Sequence, residues 1–159
     1  MRQMTILLGL ALLFALGMSR ESTRPEAEKK AWYVSTFTVE VTIPPGHACM
    51  GGGVANAKIV ADPLWTKGFV LLRRHSQTNP DDTWPPVVVV AIDWCQLNND
   101  AYDRCRQVLA QAVGTSPARI LLATVHQHDA PIFDLYAQKL LDTQGLRNWI
   151  CDAQFFERA

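Results

Sequence analysis

Two continuous apolar runs stand out in the chain, and each ends on polar side chains. The first, residues 87–92, is rich in β-branched residues and stops at Asp93. The second, residues 120–125, stops at His126. Apolar runs of this length without polar alternation are typical of strands that are covered on both faces of a parallel sheet. We therefore expect two buried strands, each with polar groups at its carboxyl end.

The segment between these two runs has the spacing of a helix. Asn98 or Asn99 can serve as the N-cap, and Gly114 follows the last apolar position. The apolar positions with helical spacing are Tyr102, Cys105, Val108, Leu109 and Ala112. A strand, a helix and a strand in this order predict a right-handed crossover with parallel strands. Asp93 and His126 should then emerge at the same edge of the sheet.

The rest of the chain predicts further elements of an α/β fold. A half-buried strand is expected over residues 32–43 and a second strand over residues 66–72, followed by a polar stretch that carries His75. Helices are expected over residues 134–143 and after Asp152. Together these elements predict a partial sheet that contains a parallel βαβ unit.

Length and charge limit the possible partners. The 159 residues are enough for about one domain with a real core. Because Lys plus Arg equals Asp plus Glu at 15 each, the charge balance gives no reason to expect nucleic acid or an anionic membrane surface as a partner.

The N-terminus has the layout of a signal peptide. Arg2 precedes an apolar stretch over residues 6–16, and Ala15-Leu16-Gly17 offers small residues at the positions that signal peptidase recognises. We therefore predict a signal peptide over residues 1–17, a flexible lead-in over 18–31 and the folded part over 32–159, in a protein that is periplasmic, secreted or at the cell surface. An uncleaved membrane anchor or a buried helix remains the alternative.

The four cysteines are compatible with two different states. In an exported protein they permit two disulfides in three possible connectivities, and free buried thiols fit the sequence equally well. The residues are Cys49, Cys95, Cys105 and Cys151.

The strongest candidate for chemistry is the pair His126 and His128. If the backbone stays extended through residue 127, the two imidazoles project to one face and can address one metal ion. The alternative is that they satisfy loop carbonyls. Asp93 is either a site carboxylate or a structural anchor, and the glycines at 51–53 form either a loop that approaches a ligand closely or a flexible turn.

The order of several motifs resembles the N-terminal part of the neutral/alkaline, non-lysosomal ceramidases. These motifs are VEVTIPPG at residues 39–46, DPL at 62–64 before a strand, a strand that ends in Asp93, and HQHDAP at 126–131. The family typically shows Val-Asp-Ile-Thr-Pro-Pro-x-Gly and, at the end of a strand, Thr-His-Thr-His-Ser-Gly-Pro. The resemblance covers about residues 34–131.

This resemblance implies a zinc-dependent amidase that hydrolyses the N-acyl bond of ceramide to sphingosine and a fatty acid, with membrane-surface association through its lipid substrate. It implies that His126 binds Zn²⁺. His128, Asp129 and Asp93 would contact the ligand or face the substrate. Gly51 and Gly52 would bring backbone close to the site.

The chain also departs from the family pattern. Gln127, Asp129 and Ala130 replace the usual Thr, Ser and Gly, and Ile43 is inserted before the two prolines. The family's other zinc ligands and its catalytic Ser lie downstream of these motifs, so no catalytic residue is assigned here. We expect the N-terminal piece of a larger catalytic domain, inactive without its C-terminal portion. Two alternatives remain: a non-catalytic exported α/β domain that binds a ligand or partner, and a metal-assisted hydrolase of an ester or a non-lipid amide.

Overall fold

A computed structural model describes residues 31–73 and 84–159. The expected signal peptide, nearly all of the lead-in and the polar stretch with His75 lie outside these residues. The strands are β1 (Trp32–Glu40), β2 (Trp65–Arg73), β3 (Val87–Ile92), β4 (Gln96–Leu97), β5 (Ile120–Thr124) and β6 (Ile132–Phe133). The helices are α1 (Asn99–Val113), α2 (Leu135–Asp142) and α3 (Ala153–Arg158).

The main sheet is mixed and has the strand order β1-β2-β3-β5. The first two pairings are antiparallel, and β3 pairs with β5 in parallel, with Val88 opposite Ile120. The predicted βαβ unit is therefore confirmed, and the chain is an α/β protein. A second sheet, which the sequence did not predict, consists of β4 and β6 in parallel.

Helix α1 lies between β3 and β5 in the chain, and its ends agree with the prediction to within a residue. Gly114 has φ +69° and donates its N–H to helix carbonyls, as expected of a left-handed C-cap. Asn98 is the N-cap but makes no side-chain capping bond, whereas Asn99 donates to the carboxylate of Asp134 at 2.6 Å.

One face of the sheet is buried and the other is open. Val88, Val90 and Leu122 point to the buried face, where the core also contains Ala101 and Ala110 of α1. Leu121, on the opposite face, is 61% exposed. The expectation that β3 and β5 are covered on both faces is therefore wrong within the described ranges, because a continuous apolar run does not reveal how many faces have a packing partner.

Strand β1 is shorter and more exposed than predicted. It ends at Glu40, and Val34 is 61% exposed. The buried residues of this region, Val41 and Ile43, follow the strand. Trp94 holds this continuation, since its indole N–H donates to the carbonyl of Val41 at 3.1 Å.

The C-terminal segment folds against the same core. Helix α2 starts after Asp134, whose carboxylate accepts from the N–H of Ala137, and α3 starts after Asp152, which caps it in the same way. Both helices were predicted. None of the helices in residues 31–73 and 84–159 has the length and apolar character needed to cross a bilayer.

Candidate functional site

The candidate site lies where β3 and β5 end side by side. The pairing continues past both strands, since Val125 donates its N–H to Ile92 at 3.0 Å and His126 donates to Trp94 at 3.2 Å. Asp93 and His126 therefore share the carboxyl edge of the sheet, as the βαβ reading predicted. In α/β folds this edge is where ligands commonly bind.

Asp93 is engaged in holding strands together. One of its carboxylate oxygens accepts from the main-chain N–H of Trp65 at 2.9 Å, and its carbonyl accepts from the side chain of Gln127 at 2.7 Å. Its N–H donates to Trp65 in return. These contacts correspond to the structural-anchor alternative, and they also fix Gln127, the residue between the two histidines.

His126 does not continue the strand. Its φ is +60°, in the left-handed region that residues other than glycine rarely adopt, and β5 ends two residues earlier. The condition for a shared face, an extended backbone through residue 127, is therefore not met. The two imidazoles still lie close together, with ring centroids 5.4 Å apart and an interplanar angle of 79°. They meet edge to face because of a turn in the loop.

The imidazole of His126 is oriented by a main-chain contact. Its Nδ1 lies 3.2 Å from the carbonyl oxygen of Cys95. Because a carbonyl only accepts, Nδ1 must carry the proton in this contact, which leaves the lone pair on Nε2 free. Histidines that bind metals are commonly held in this way. The sulfur of Cys95 is 3.9 Å from the same nitrogen.

The donor set fits part of a zinc site. His126 offers Nε2, and the exposed His128 lies beside it. Within the two described ranges, no three His, Cys, Asp or Glu side chains come together as a metal-binding group. A catalytic zinc ordinarily takes three protein ligands, so these two imidazoles alone do not make up such a set.

Asp129 faces a crevice next to the histidines. The crevice has a volume of about 390 Å³, and Gln127, Cys49 and Asp62 also line it. Lys58 contributes a cation to the same wall. This volume is within the range of small-molecule sites, and the crevice is charged rather than purely apolar.

Gly51 and Gly52 form a tight turn against the protein itself. Their φ angles are +61° and +85°. A Cβ at Gly51 would lie 3.6 Å from the side chain of Ile132, and one at Gly52 would lie 3.5 Å from the carbonyl of Trp149. Met50 donates its N–H to Ala130 at 2.8 Å. The turn therefore supports the loop that follows His128.

All four cysteines lie in the described part of the chain, and none is bonded to another. Burial raises the pKa of Cys105 and of Cys151 to about 11 and also raises the pKa of Cys49 and Cys95. A raised pKa disfavours the thiolate, so these residues lack the character of nucleophilic cysteines.

Sequence reasoning missed two buried polar residues. His47 and Gln138 are 7% and 2% exposed. His47 accepts from the N–H of Asp152 at 3.2 Å, a contact across 105 positions that no local pattern signals. Gln138 falls at an ordinary helical position, and besides Asp142 within α2 its partners are the main chain of Leu146 and of Ile150, which lie beyond the end of the helix.

No family model matches the chain, and no curated protein matches it.

Proposed function

We propose that this chain is the N-terminal portion of an exported, zinc-dependent amidohydrolase similar to the neutral ceramidases, and that it is inactive by itself. The reaction is hydrolysis of the N-acyl bond of a lipid amide such as ceramide, which gives sphingosine and a fatty acid. The observation that carries the proposal is the orientation of His126 by the Cys95 carbonyl, which leaves Nε2 available to a metal.

Each residue of the cluster has a distinct part in the proposal. Zinc supplies Lewis-acid polarisation of the scissile carbonyl and activation of water, both of which an amide needs. His126 binds the metal through Nε2. His128 lies next to it at the substrate side, and Asp129 accepts a hydrogen bond from a polar group of the substrate in the adjoining crevice. Asp93 positions the loop through Gln127.

The proposal requires a partner for the site. His126 is a single ligand where a catalytic zinc usually takes three, and the family that the chain resembles takes its other ligands from later segments. The proposed partner is therefore a C-terminal portion that brings the remaining ligands, a nucleophile and the rest of the substrate groove.

Two other functions are supported by particular observations. The open sheet face, with Val34 and Leu121 each 61% exposed, favours a non-catalytic exported domain that binds a ligand or partner. The charged lining of the crevice, with Lys58, Asp62 and Asp129, favours a metal-assisted hydrolase of a non-lipid amide or an ester.

A calorimetric titration of the full chain with zinc tests the proposed binding of the metal. We expect weak binding that falls at least about ten-fold in His126→Ala, since the main ligand is removed. His128→Ala should weaken binding less. Gln144→Ala, an exposed change at the end of α2, is the control and should bind like the unchanged chain. Equal affinity in the unchanged chain and in His126→Ala would contradict the proposal.

A ceramide assay tests the claim of inactivity. We expect no release of fatty acid by the full chain with zinc, because two imidazoles cannot align and activate the substrate alone. Turnover that disappears in His126→Ala would show that the chain is catalytically sufficient.

Export is tested separately. Amino-terminal sequencing of the protein recovered from its host should begin near Met18, whereas an intact Met1 on a cytoplasmic protein would refute the signal peptide.

A further inference from the structure

An apolar cavity lies on the helix side of the main sheet, away from the histidine cluster. Its volume is about 170 Å³. The residues that form its apolar walls are Val90, Ile92, Trp94, Val108, Leu109 and Phe156. The sheet thus forms the floor, and α1 and α3 form the sides.

The size and lining of the cavity indicate what it can hold. An apolar cavity of about 150 Å³ accommodates a molecule the size of benzene. Thr66 and Trp94 are the polar side chains that the sheet side contributes to the lining, and the indole N–H of Trp94 already donates to Val41. Trp94 therefore has no free N–H to donate to a ligand. The cavity suits a short alkyl chain or a single ring.

An ion pair stands at the mouth of the cavity. Arg104 of α1 and Glu157 of α3 are joined by a contact of 3.1 Å, and both side chains are about half exposed. The same pair lines a second, open depression, whose other charged residues are Asp100 and Asp103. The cavity and the depression therefore meet at this ion pair.

The charges of the depression are predominantly negative. The carboxylate of Glu157 neutralises the charge of Arg104, since both Nε and Nη2 of Arg104 donate to it. Asp100 accepts a main-chain N–H, and the carboxylate of Asp103 lies 3.8 Å from the guanidinium of Arg106. The lining therefore carries three carboxylates against one guanidinium, and it favours a positively charged group over a carboxylate.

We propose that the cavity and the acidic depression together form a binding site for a cationic amphiphile, with its apolar tail between the sheet and α1 and its ammonium group beside Asp103. The site shares no residue with the histidine cluster. A test of this binding site is therefore independent of the proposed zinc chemistry.

Three ligands with the same tail separate the contributions of tail and charge. Octylammonium, octanol and octanoate are each titrated into the full chain, and the methyl resonances of Val90, Ile92 and Leu109 are followed by NMR. We expect octylammonium to bind about ten-fold more tightly than octanoate, with octanol between them, and this difference to shrink at high salt. Absence of shifts at these methyls with all three ligands, or binding of octanoate as tight as that of octylammonium, would overturn the proposal.

Two variants test the two halves of the site. Val108→Trp fills the cavity and should abolish binding of all three ligands, whereas Leu140→Trp, at a similarly exposed position on α2 outside the cavity, should not. Asp103→Asn is an exposed change that should lower the affinity for octylammonium about three-fold and leave that for octanol unchanged. Equal loss for both ligands in Asp103→Asn would show that the carboxylate does not recognise the ammonium group.

Discussion

Acid should weaken this fold through one buried histidine, His47. Its Nδ1 lies 2.8 Å from the carbonyl of Ala48 and must donate, while its Nε2 accepts from the N–H of Asp152. Both contacts are satisfied only by the neutral ring. A proton added to Nε2 would face the N–H of Asp152 and remove the bond that ties the start of α3 to the loop after β1.

The sign of the effect follows from the pKa of His47. Burial lowers this pKa below the ordinary 6.5, and the Ala48 carbonyl and the Asp152 carboxylate oppose the shift without cancelling it. The unfolded chain therefore takes up the proton first as pH falls. The stabilisation is fully present above about pH 6.5 and is lost below it, with a slope of at most about 1.4 kcal/mol per pH unit for one proton.

His47→Phe isolates this contribution. Phenylalanine keeps the edge-to-face packing on Phe133 and Phe155, whose centroids lie 5.6 and 5.7 Å from the imidazole. It leaves the Ala48 carbonyl and the Asp152 N–H without their partner, which costs about 2 kcal/mol. The variant should be less stable than the unchanged chain at pH 8, and the gap should narrow toward pH 5 because the variant has no proton to take up at this position.

Urea unfolding, monitored by tryptophan fluorescence between pH 5 and 8, measures the difference in the free energy of unfolding between His47→Phe and the unchanged chain. Leu140→Phe, an exposed change on α2 without a titrating group, is the control and should show a constant difference from the unchanged chain. A His47→Phe gap that stays constant or widens as pH falls would refute the assignment of a neutral, bond-accepting imidazole.

Substitutions at three further positions test particular contacts by the same unfolding assay. Gln138→Leu removes the partner of two main-chain N–H groups and one carbonyl and should cost about 3 kcal/mol, and a loss below about 1 kcal/mol would contradict the buried network. Gly68→Ala would place a Cβ 2.5 Å from both the ring of Phe37 and the carbonyl of Val89, so we expect a loss of at least about 2 kcal/mol and no gain from reduced chain entropy. Asp152→Ala removes the cap of α3 and should cost about 1 kcal/mol, whereas Asp152→Asn should retain most of the stability.

The parts of the fold that the sequence predicted are those determined by local periodicity. The apolar spacing predicts a strand at residues 87–92 and a helix at Asn99–Val113. Gly114 ends the helix because it adopts a left-handed conformation. Their order along the chain then requires a parallel crossover. Each of these steps uses only neighbouring residues and the handedness of the connection.

The parts that were missed depend on contacts between distant segments. The β4 and β6 strands have two residues each, and Gln96 pairs with Ile132, which lies beyond α1 and β5 in the chain. The exposure of β1 likewise depends on what packs against it, which alternation in the sequence does not reveal. A two-residue strand has no period to detect.

The histidine cluster shows how two rings can come together by a geometry other than the predicted one. Period-two alternation would have placed His126 and His128 on one face of a strand, with their rings side by side. The chain instead turns at His126, because its N–H and its Nδ1 both donate to carbonyls in the Trp94–Cys95 loop, about 31 positions earlier. The loop after β3 therefore determines where the imidazole nitrogen points, and this loop is fixed in turn by Asp93 and β6. The orientation of the His126 imidazole, on which the proposed metal binding relies, thus depends on the Cys95 carbonyl as much as on the His-x-His spacing.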